Sequence, residues 1–264
     1  MYDFAYHRAR SVEDALSVLA GAEDGTLMAG GMTLLPTVKQ RLAQPSDIVD
    51  LGGIAELSSI REEGGAIVIG ATTTHATVAA DATVRARIPA LAALAESIGD
   101  PAVRNRGTIG GSIANNDPAA DYPAGLVGLG ATVRTNRREI AADDFFTGMF
   151  ETALGDGEMV TAVSVPVPAK AGYAKFPNPA SRYAVVGVMV SQGPAGTRVA
   201  VTGAGPCVFR VPAMESALGG NFSADAIAGV AVAADDLNAD MHASADYRAH
   251  LVGVMAGRAV AAAG

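Results

Sequence analysis

Residues 108–124 read TIGGSIANNDPAADYPA, and this stretch decides how the rest of the chain is interpreted. It joins two adjacent glycines, Gly110 and Gly111, to hydroxyl and amide side chains and then to Asp121. A glycine lets backbone N–H groups approach a ligand because no Cβ stands in the way. The short hydroxyl and amide side chains add neutral hydrogen bonds. These residues would be costly in a packed core, so the stretch indicates a polar binding loop.

A second glycine pair lies earlier in the chain, in MAGGMTLLP at residues 28–36. It follows a predicted strand and precedes a predicted helix, and backbone amides at a helix N-terminus favour an anion. A single glycine pair is most often a tight turn. Two such loops, the second rich in hydroxyl, amide and carboxylate groups, favour a ligand with two phosphates and a ribose or ribityl chain.

The composition of the 264-residue chain excludes several classes of protein. Half of the residues are hydrophobic, which is enough for two domains, and the net charge of −8 argues against nucleic acid as a partner. The single cysteine, Cys207, leaves no internal disulfide and no cysteine-rich iron–sulfur or zinc site. We expect no metal site, no catalytic dyad, no membrane span and a cytoplasmic location, since the N-terminus is charged and no long apolar run occurs.

Hydrophobic periodicity predicts alternating helices and strands. Ser11 should cap a helix over 11–20, and a helix after the first glycine pair should end before Pro45. The other predicted elements are strands at 26–29, 47–51, 66–74 and 157–168, helices within 76–99 broken before Pro89, a helix-to-strand segment at 126–135, an antiparallel pair at 183–192 and 197–205 joined by Gly193-Pro194, and a mostly helical tail from Ala213. A domain boundary is predicted near residue 168.

The two glycine motifs together resemble a known family. AGGMTLLPTVK at 29–39, followed by TIGGSIANNDPAADYP at 108–123, resembles the FAD-binding medium subunit of molybdenum hydroxylases, the carbon monoxide dehydrogenase and xanthine dehydrogenase family. The resemblance implies an α+β fold. A two-lobed FAD-binding domain of the PCMH, vanillyl-alcohol-oxidase-like type would cover 1–168, with lobes at about 1–55 and 56–168. A small carbon monoxide dehydrogenase flavoprotein-like domain with an antiparallel sheet would cover 169–264.

The resemblance also implies which residues hold the FAD. In the family the first loop surrounds the pyrophosphate, which corresponds here to Ala29, Gly30, Gly31, Met32, Thr33, Leu34 and Leu35. The second motif would line the cofactor with Thr108, Gly110, Gly111, Ser112 and Asn115. Asp121 would hold the adenosine ribose and Val160 would contact the adenine side. Ser112 stands where many relatives have asparagine.

Four further positions are implied at the flavin ring, three of them with an alternative. Lys175 would lie near the ring and stabilise its anionic reduced form, or would be an ordinary surface lysine. Tyr183 would stack on the ring or pack between the domains. Thr73 would form a hydrogen bond at the ring edge. His75 would touch the ring or be a turn histidine.

For function, the resemblance implies an electron-transfer subunit with FAD as its cofactor. Molybdopterin would lie on a large partner subunit and [2Fe–2S] clusters on a small one, in a heterotrimer that is commonly doubled. Reduced FAD would then pass electrons to an external acceptor. Two alternatives stay open: a self-contained FAD-dependent oxidoreductase of the same wider fold, and a binding or structural subunit that has lost its cofactor.

Overall fold

The computed structural model describes residues 1–263, which form three parts that each have their own β-sheet. The strands are β1 (Ala5–Arg8), β2 (Gly25–Met28), β3 (Asp47–Asp50), β4 (Ile60–Glu63), β5 (Ala66–Gly70), β6 (Thr132–Thr135), β7 (Glu139–Ala141), β8 (Phe146–Gly148), β9 (Glu151–Thr152), β10 (Val160–Pro166), β11 (Lys170–Pro177), β12 (Ala184–Gly193), β13 (Gly196–Thr202) and β14 (Phe209–Arg210).

The helices connect these strands and cover the sheets. They are α1 (Val12–Gly21), α2 (Leu34–Lys39), α3 (His75–Ala80), α4 (Ala82–Arg87), α5 (Pro89–Glu96), α6 (Pro101–Arg104), α7 (Ile109–Asn115), α8 (Asp121–Leu129), α9 (Ala142–Phe145), α10 (Pro212–Gly220), α11 (Ala224–Ile227) and α12 (Ala245–Ala262), with a 3-10 turn at Ala55–Leu57.

The first lobe contains a three-stranded parallel sheet in the order β1-β3-β2. As predicted, Ser11 caps α1, because its side chain accepts a hydrogen bond from the Asp14 amide at 3.1 Å. Ala15 of α1 is fully buried and packs in a small core with Val49 of β3. The first glycine pair therefore leaves the C-terminal end of β2 and leads into α2, at the edge of this lobe.

The second lobe contains a five-stranded antiparallel sheet in the order β4-β5-β10-β6-β7. Its core combines Val163 and Val165 of β10 with apolar side chains of α3, α5, α7 and α8. The second glycine pair forms the first turn of α7, which Thr108 caps. An isolated bridge between Thr74 and Thr108 fixes the start of α7 beside the start of α3.

The C-terminal part contains a four-stranded antiparallel sheet in the order β11-β12-β13-β14. Met255 and Ala259 of α12 belong to the core of this part. On the other side, Ser191 Oγ donates to Gly128 O of α8 at 2.6 Å, and Thr202 Oγ1 donates to Ala120 O at 2.6 Å. The C-terminal sheet therefore holds α8 in place. The predicted domain boundary near 168 falls between β10 and β11.

Several predicted elements were too long. The helix after the first glycine pair ends at Lys39, because Arg41 has a left-handed backbone (φ 62°). The strand predicted at 66–74 ends at Gly70, where the chain turns toward α3. The helical segment 76–99 is broken before Pro89 as predicted, but also at Asp81, whose carboxylate caps α4.

The tail differs from the prediction in its middle. Helices α10, α11 and α12 account for most of it, whereas residues 228–244 are irregular. The hairpin of β12 and β13 turns at 193–196, in agreement with the Gly193-Pro194 prediction. Within residues 1–263, no helix has both the length and the apolar character needed to cross a bilayer.

Candidate functional site

A cavity of about 670 Å³ lies where the two lobes and the C-terminal part meet. Cavities of this size are typical of small-molecule and cofactor sites. The first lobe lines it with the loop after β2, the second lobe with α7 and its surroundings, and the C-terminal part with Ser181, Arg182 and Tyr183. No single part could form this cavity alone.

The two glycine loops touch each other in the wall of this cavity. A Cβ on Gly30 would overlap the carbonyl oxygen of Arg106, and its next neighbour would be Gly107. A Cβ on Gly111 would lie 3.8 Å from the Ala29 Cβ. Loops that are far apart in sequence therefore converge on one space.

The first loop keeps its backbone amides free. Among the described residues, the N–H groups from Ala29 to Thr33 donate no hydrogen bond to another protein group. Gly31 has a left-handed backbone (φ 71°) where the loop bends into α2. Consecutive unpaired amides on a cavity wall at the start of a helix form a site for an anion such as a diphosphate.

The second loop has no free amides in its glycine turn. The N–H groups from Ile109 to Ser112 all donate inside the protein. Their acceptors are, in order, Thr73 O at 3.1 Å, Ala71 O at 2.9 Å, Thr108 Oγ1 at 3.1 Å and Thr108 O at 3.0 Å. What this loop offers a ligand is a cavity wall without a side chain at Gly111, and the side chains of Ser112 and Asn115 beside it. A Cβ on Gly111 would also lie 2.9 Å from Thr108 Oγ1.

Asp121 is occupied by protein partners. It is 4% exposed. Its Oδ1 accepts from the Tyr173 hydroxyl, and the Lys175 ammonium lies 3.0 Å from Oδ1 and 3.1 Å from Oδ2. Burial raises the pKa of Asp121, whereas Lys175 and the Tyr173 hydrogen bond lower it. The ribose contact of Asp121 stays a prediction, and its observed role is to pair with Lys175.

His75 is a neutral, buried imidazole on the cavity wall. Burial, with a smaller contribution from the charge of Arg104, lowers its pKa to about 4. Its ring lies 5.3 Å from that of Tyr122, and neither the His75 Nδ1 atom nor the Tyr122 hydroxyl has a hydrogen-bond partner among residues 1–263. Buried polar atoms without partners are rare. Of the two residues, His75 lines the cavity, whereas Tyr122 is fully buried behind it.

Most of the site residues predicted from sequence line the cavity. These are Ala29, Gly30, Gly31, Met32, Thr33, Leu34, His75, Thr108, Gly110, Gly111, Ser112, Asn115, Asp121, Val160 and Tyr183. Tyr183 is 46% exposed, and burial raises the pKa of its hydroxyl. The structure thus places these residues around one space.

Three predicted residues do not line this cavity: Leu35, Thr73 and Lys175. Thr73 is buried beneath it, with its hydroxyl directed to Ser59 O. Lys175 lies behind Asp121 and is only 6% exposed, so it is not a surface lysine either. The contacts of Thr73 and Lys175 with the flavin ring stay predictions.

Sequence reasoning missed Glu158, Ser181 and Arg182, which also line the cavity. Glu158 accepts from Arg138 Nε at 2.9 Å, which holds the pKa of this buried carboxyl at about 2. None of the three stands in a recognisable motif. The only signal for the last two was the turn-forming Asn178-Pro179 dipeptide before them.

Metal ligands are not grouped in the part of the chain that the structure describes. No three histidine, cysteine, aspartate or glutamate side chains there are arranged to hold an ion. The groups that line the cavity are suited to a large organic anion instead.

Known proteins show which family has this arrangement. Residues 2–168 match the model of the FAD binding domain in molybdopterin dehydrogenase. The chain is 36% identical to the nicotine 6-hydroxylase medium subunit of Paenarthrobacter nicotinovorans, over 98% of this chain and 96% of that protein. It is 37% identical to the carbon monoxide dehydrogenase medium chain of Hydrogenophaga pseudoflava, with the same coverage of each.

Solved structures agree with the sequence relatives. Reconstituted CO dehydrogenase from Oligotropha carboxidovorans contains a chain that superposes with a TM-score of 0.92 at 34% identity, covering 99% of this chain and 98% of that one. The free amides of the first loop and the cleared space at Gly111 fit the diphosphate and the elongated shape of FAD. The chain therefore belongs to the family of FAD-binding domains of molybdopterin dehydrogenases.

Proposed function

We propose that this chain is the FAD-carrying electron-transfer subunit of a molybdenum hydroxylase complex. It takes electrons from [2Fe–2S] clusters on a small partner subunit and passes them to an external acceptor. The molybdenum cofactor lies on a large partner subunit, and the three chains form a heterotrimer that is doubled. The observation that carries this proposal is the row of unpaired amides from Ala29 to Thr33, which lies against the glycine turn of α7.

The residues of the chain bind and orient the cofactor. The first loop holds the diphosphate through backbone N–H groups, and Thr33 adds its hydroxyl. The second loop gives clearance at Gly111 and hydrogen bonds from Ser112 and Asn115. The bound FAD supplies the redox chemistry, and the protein tunes it through nearby charge and hydrogen bonds.

Protonation changes at the site are restricted. His75 stays neutral down to about pH 4, and Glu158 stays ionised down to about pH 2. Neither is therefore poised to exchange a proton near neutral pH, where general acid–base catalysts work best. This supports a subunit that binds and relays electrons over a self-contained oxidoreductase.

The first experiment tests cofactor binding. The purified chain should be yellow and should release FAD, not FMN, when denatured. Gly111→Val should lose FAD, because its side chain would extend from the cavity wall; its Cβ would also lie 2.9 Å from the capping Thr108 Oγ1, so circular dichroism checks that the variant is folded. Gly257→Val in α12 is the matched control, since a Cβ there meets nothing within 4 Å. Normal FAD content in Gly111→Val would contradict the proposed loop placement.

The second experiment separates the electron-transfer subunit from a self-contained enzyme. The FAD-loaded chain alone should not be reduced by aldehydes or N-heterocycles, whereas it should be reduced after addition of partner subunits. Co-expression with the neighbouring reading frames should yield a complex that contains molybdenum and iron. Reduction of the isolated chain by simple substrates would favour the self-contained oxidoreductase.

A further inference from the structure

Lys175 uses all of its hydrogen-bonding capacity inside the protein. Beside the Asp121 carboxylate, its Nζ donates to Ser97 O at 3.0 Å and to Arg182 O at 3.0 Å. An ammonium group has three N–H donors, so none remains for a ligand. One buried charge thus joins the end of α5, the start of α8 and the segment that contains Arg182.

That segment, residues 178–183, is a closed loop that we call the strap. The Asn178 amide donates to Tyr183 O at 2.8 Å, and the Arg182 amide donates back to Asn178 O at 2.9 Å. Asn178 Oδ1 accepts from the Ala180 amide at 2.9 Å and the Ser181 amide at 3.2 Å. The strap therefore has a fixed internal shape and can move only as a unit.

The strap forms part of the wall of the FAD cavity. Ser181, Arg182 and Tyr183 line that cavity, and Arg182 also lines a second, smaller cavity together with Lys175. The strap is thus a partition between the two spaces. Its position determines where the exposed ring of Tyr183 meets a ligand.

Arg182 is the strained residue of the strap. Its backbone is left-handed (φ 64°), a conformation that residues with a Cβ rarely adopt. Lys175 Nζ donates to the carbonyl oxygen of Arg182 and thereby stabilises this backbone geometry. Two longer side-chain hydrogen bonds also anchor the strap: Arg182 Nη1 donates to Gly99 O at 3.2 Å, and Asn178 Nδ2 lies 3.3 Å from His242 Nδ1.

We propose that Lys175 is a positioning residue: its ammonium fixes the strap against α5 and α8 and thereby sets Tyr183 and Arg182 on the FAD cavity. Lys175 then affects the cofactor through the strap, not by contact with the flavin ring. Only the identity of the ligand rests on the proposed function, since the strap geometry exists in the chain by itself.

The test uses trypsin, which cleaves after arginine, on the full chain with and without FAD. Arg41 is an internal reference, because it is also exposed and left-handed (φ 62°) and lies in the first lobe. The ratio of cleavage after Arg182 to cleavage after Arg41 reports release of the strap. The variant is Lys175→Met combined with Asp121→Asn, which leaves no unpaired buried charge.

In the double variant we expect the cleavage ratio to rise at least about tenfold, because a charged hydrogen bond to the strap is lost. The dissociation constant for FAD should rise beyond that of Asp121→Asn alone, which accounts for the predicted ribose contact of Asp121. Tyr173→Phe is the matched control: it removes the other hydrogen bond to Asp121 and keeps all three Lys175 bonds. An unchanged ratio in a folded double variant, or an equal rise in Tyr173→Phe, would overturn the proposal.

Hydrogen exchange of the wild-type chain tests the proposal without a variant. The strap amides of Arg182 and Tyr183 should exchange as slowly as those of β12, and not as fast as those of the irregular segment 228–244. Fast exchange would mean that Lys175 does not hold the strap. If the wild-type chain binds no FAD but shows the slow exchange, and the cleavage ratio still rises in the double variant, the proposed function would be overturned and the role of Lys175 would stand.

Discussion

The two glycine loops look alike in sequence but work in opposite ways. Among the described residues, the first loop leaves its amides unpaired from Ala29 to Thr33, whereas the turn at 108–112 donates every amide from Ile109 to Ser112 within the protein. The first loop therefore offers backbone donors, and the second offers clearance and side chains. A Gly-Gly pair in the sequence thus indicates that another group packs closely against the backbone. It does not reveal whether that group belongs to a ligand or to the protein.

The glycines within each pair also differ. Gly30 and Gly110, the first of each pair, face neighbouring protein backbone, at Arg106 and Ala71 respectively. Gly31 is needed for its left-handed backbone, and Gly111 faces the cavity. If this division is correct, substitutions at the first glycines should affect folding most.

Gly30→Ala should have the largest effect on stability. The added methyl group would overlap the backbone of Arg106 and Gly107, which no side-chain rotation can relieve. We expect a loss of about 3 kcal/mol in the free energy of unfolding, measured by urea denaturation of the cofactor-free chain. Gly21→Ala is the control in the same lobe, where a Cβ meets nothing within 4 Å. Equal stability of the two variants would contradict the inference that Gly30 is required by the close approach of Arg106.

Gly110→Ala should cost somewhat less, about 2 kcal/mol. Its Cβ would lie 2.6 Å from both the Cβ and the oxygen of Ala71, but alanine is favoured over glycine in a helix and offsets part of that overlap. The double variant Gly110→Ala with Ala71→Gly should recover part of the lost stability, because it removes the overlap with the Ala71 Cβ. No recovery in urea denaturation would place the strain elsewhere.

Gly31→Ala should cost about 1 kcal/mol through its left-handed backbone. Asparagine tolerates this conformation better than alanine does, so Gly31→Asn should be the more stable of the two variants. The order of their unfolding free energies is the measurement. The reverse order would show that side-chain contact with Leu35, not backbone strain, determines the effect.

The two threonines at the N-cap positions of α2 and α7, Thr33 and Thr108, should show the smallest difference in stability when each is replaced by alanine. Thr108 Oγ1 accepts from the Gly111 amide, whereas Thr33 makes no side-chain cap bond at the start of α2. Thr108→Ala should therefore lose about 1 kcal/mol of stability, and Thr33→Ala less than about 0.5 kcal/mol. Both should weaken FAD binding in a fluorescence titration. An equally large stability loss in Thr33→Ala would mean that the Thr33 side chain, like that of Thr108, stabilises the fold through a hydrogen bond within the protein.

Local sequence predicted the elements better than their ends. Helix α1 and the β12–β13 hairpin follow from a cap and a turn signal, both of which act within a few residues. The helix after Gly31 was overestimated because nothing in the sequence announces a left-handed residue at Arg41. The break at Asp81 could have been recognised, since aspartate is a strong N-cap.

The residues that line the cavity were likewise predicted well where the signal was local in the sequence, and poorly where it depended on distant segments. Both glycine motifs were identified from sequence, and the structure brings them together. The family resemblance implied a position near the flavin ring for Lys175, and the structure adds its pairing with Asp121, which a lysine in the sequence does not reveal. Glu158, Ser181 and Arg182 were missed because they belong to the site only through contacts with distant segments.

The amino-acid sequence by itself determined the chemical groups available: bare backbone in two loops, short hydroxyl and amide side chains, and too few cysteines for a cluster. These depend on residue type and on conformational preferences of a few neighbouring residues. Only the tertiary structure decided which groups remain free for a cofactor, because an amide or an ammonium is satisfied by whichever segment packs against it. That segment can lie anywhere along the chain, as Ala71 does for the Gly110 amide and Asp121 for the Lys175 ammonium.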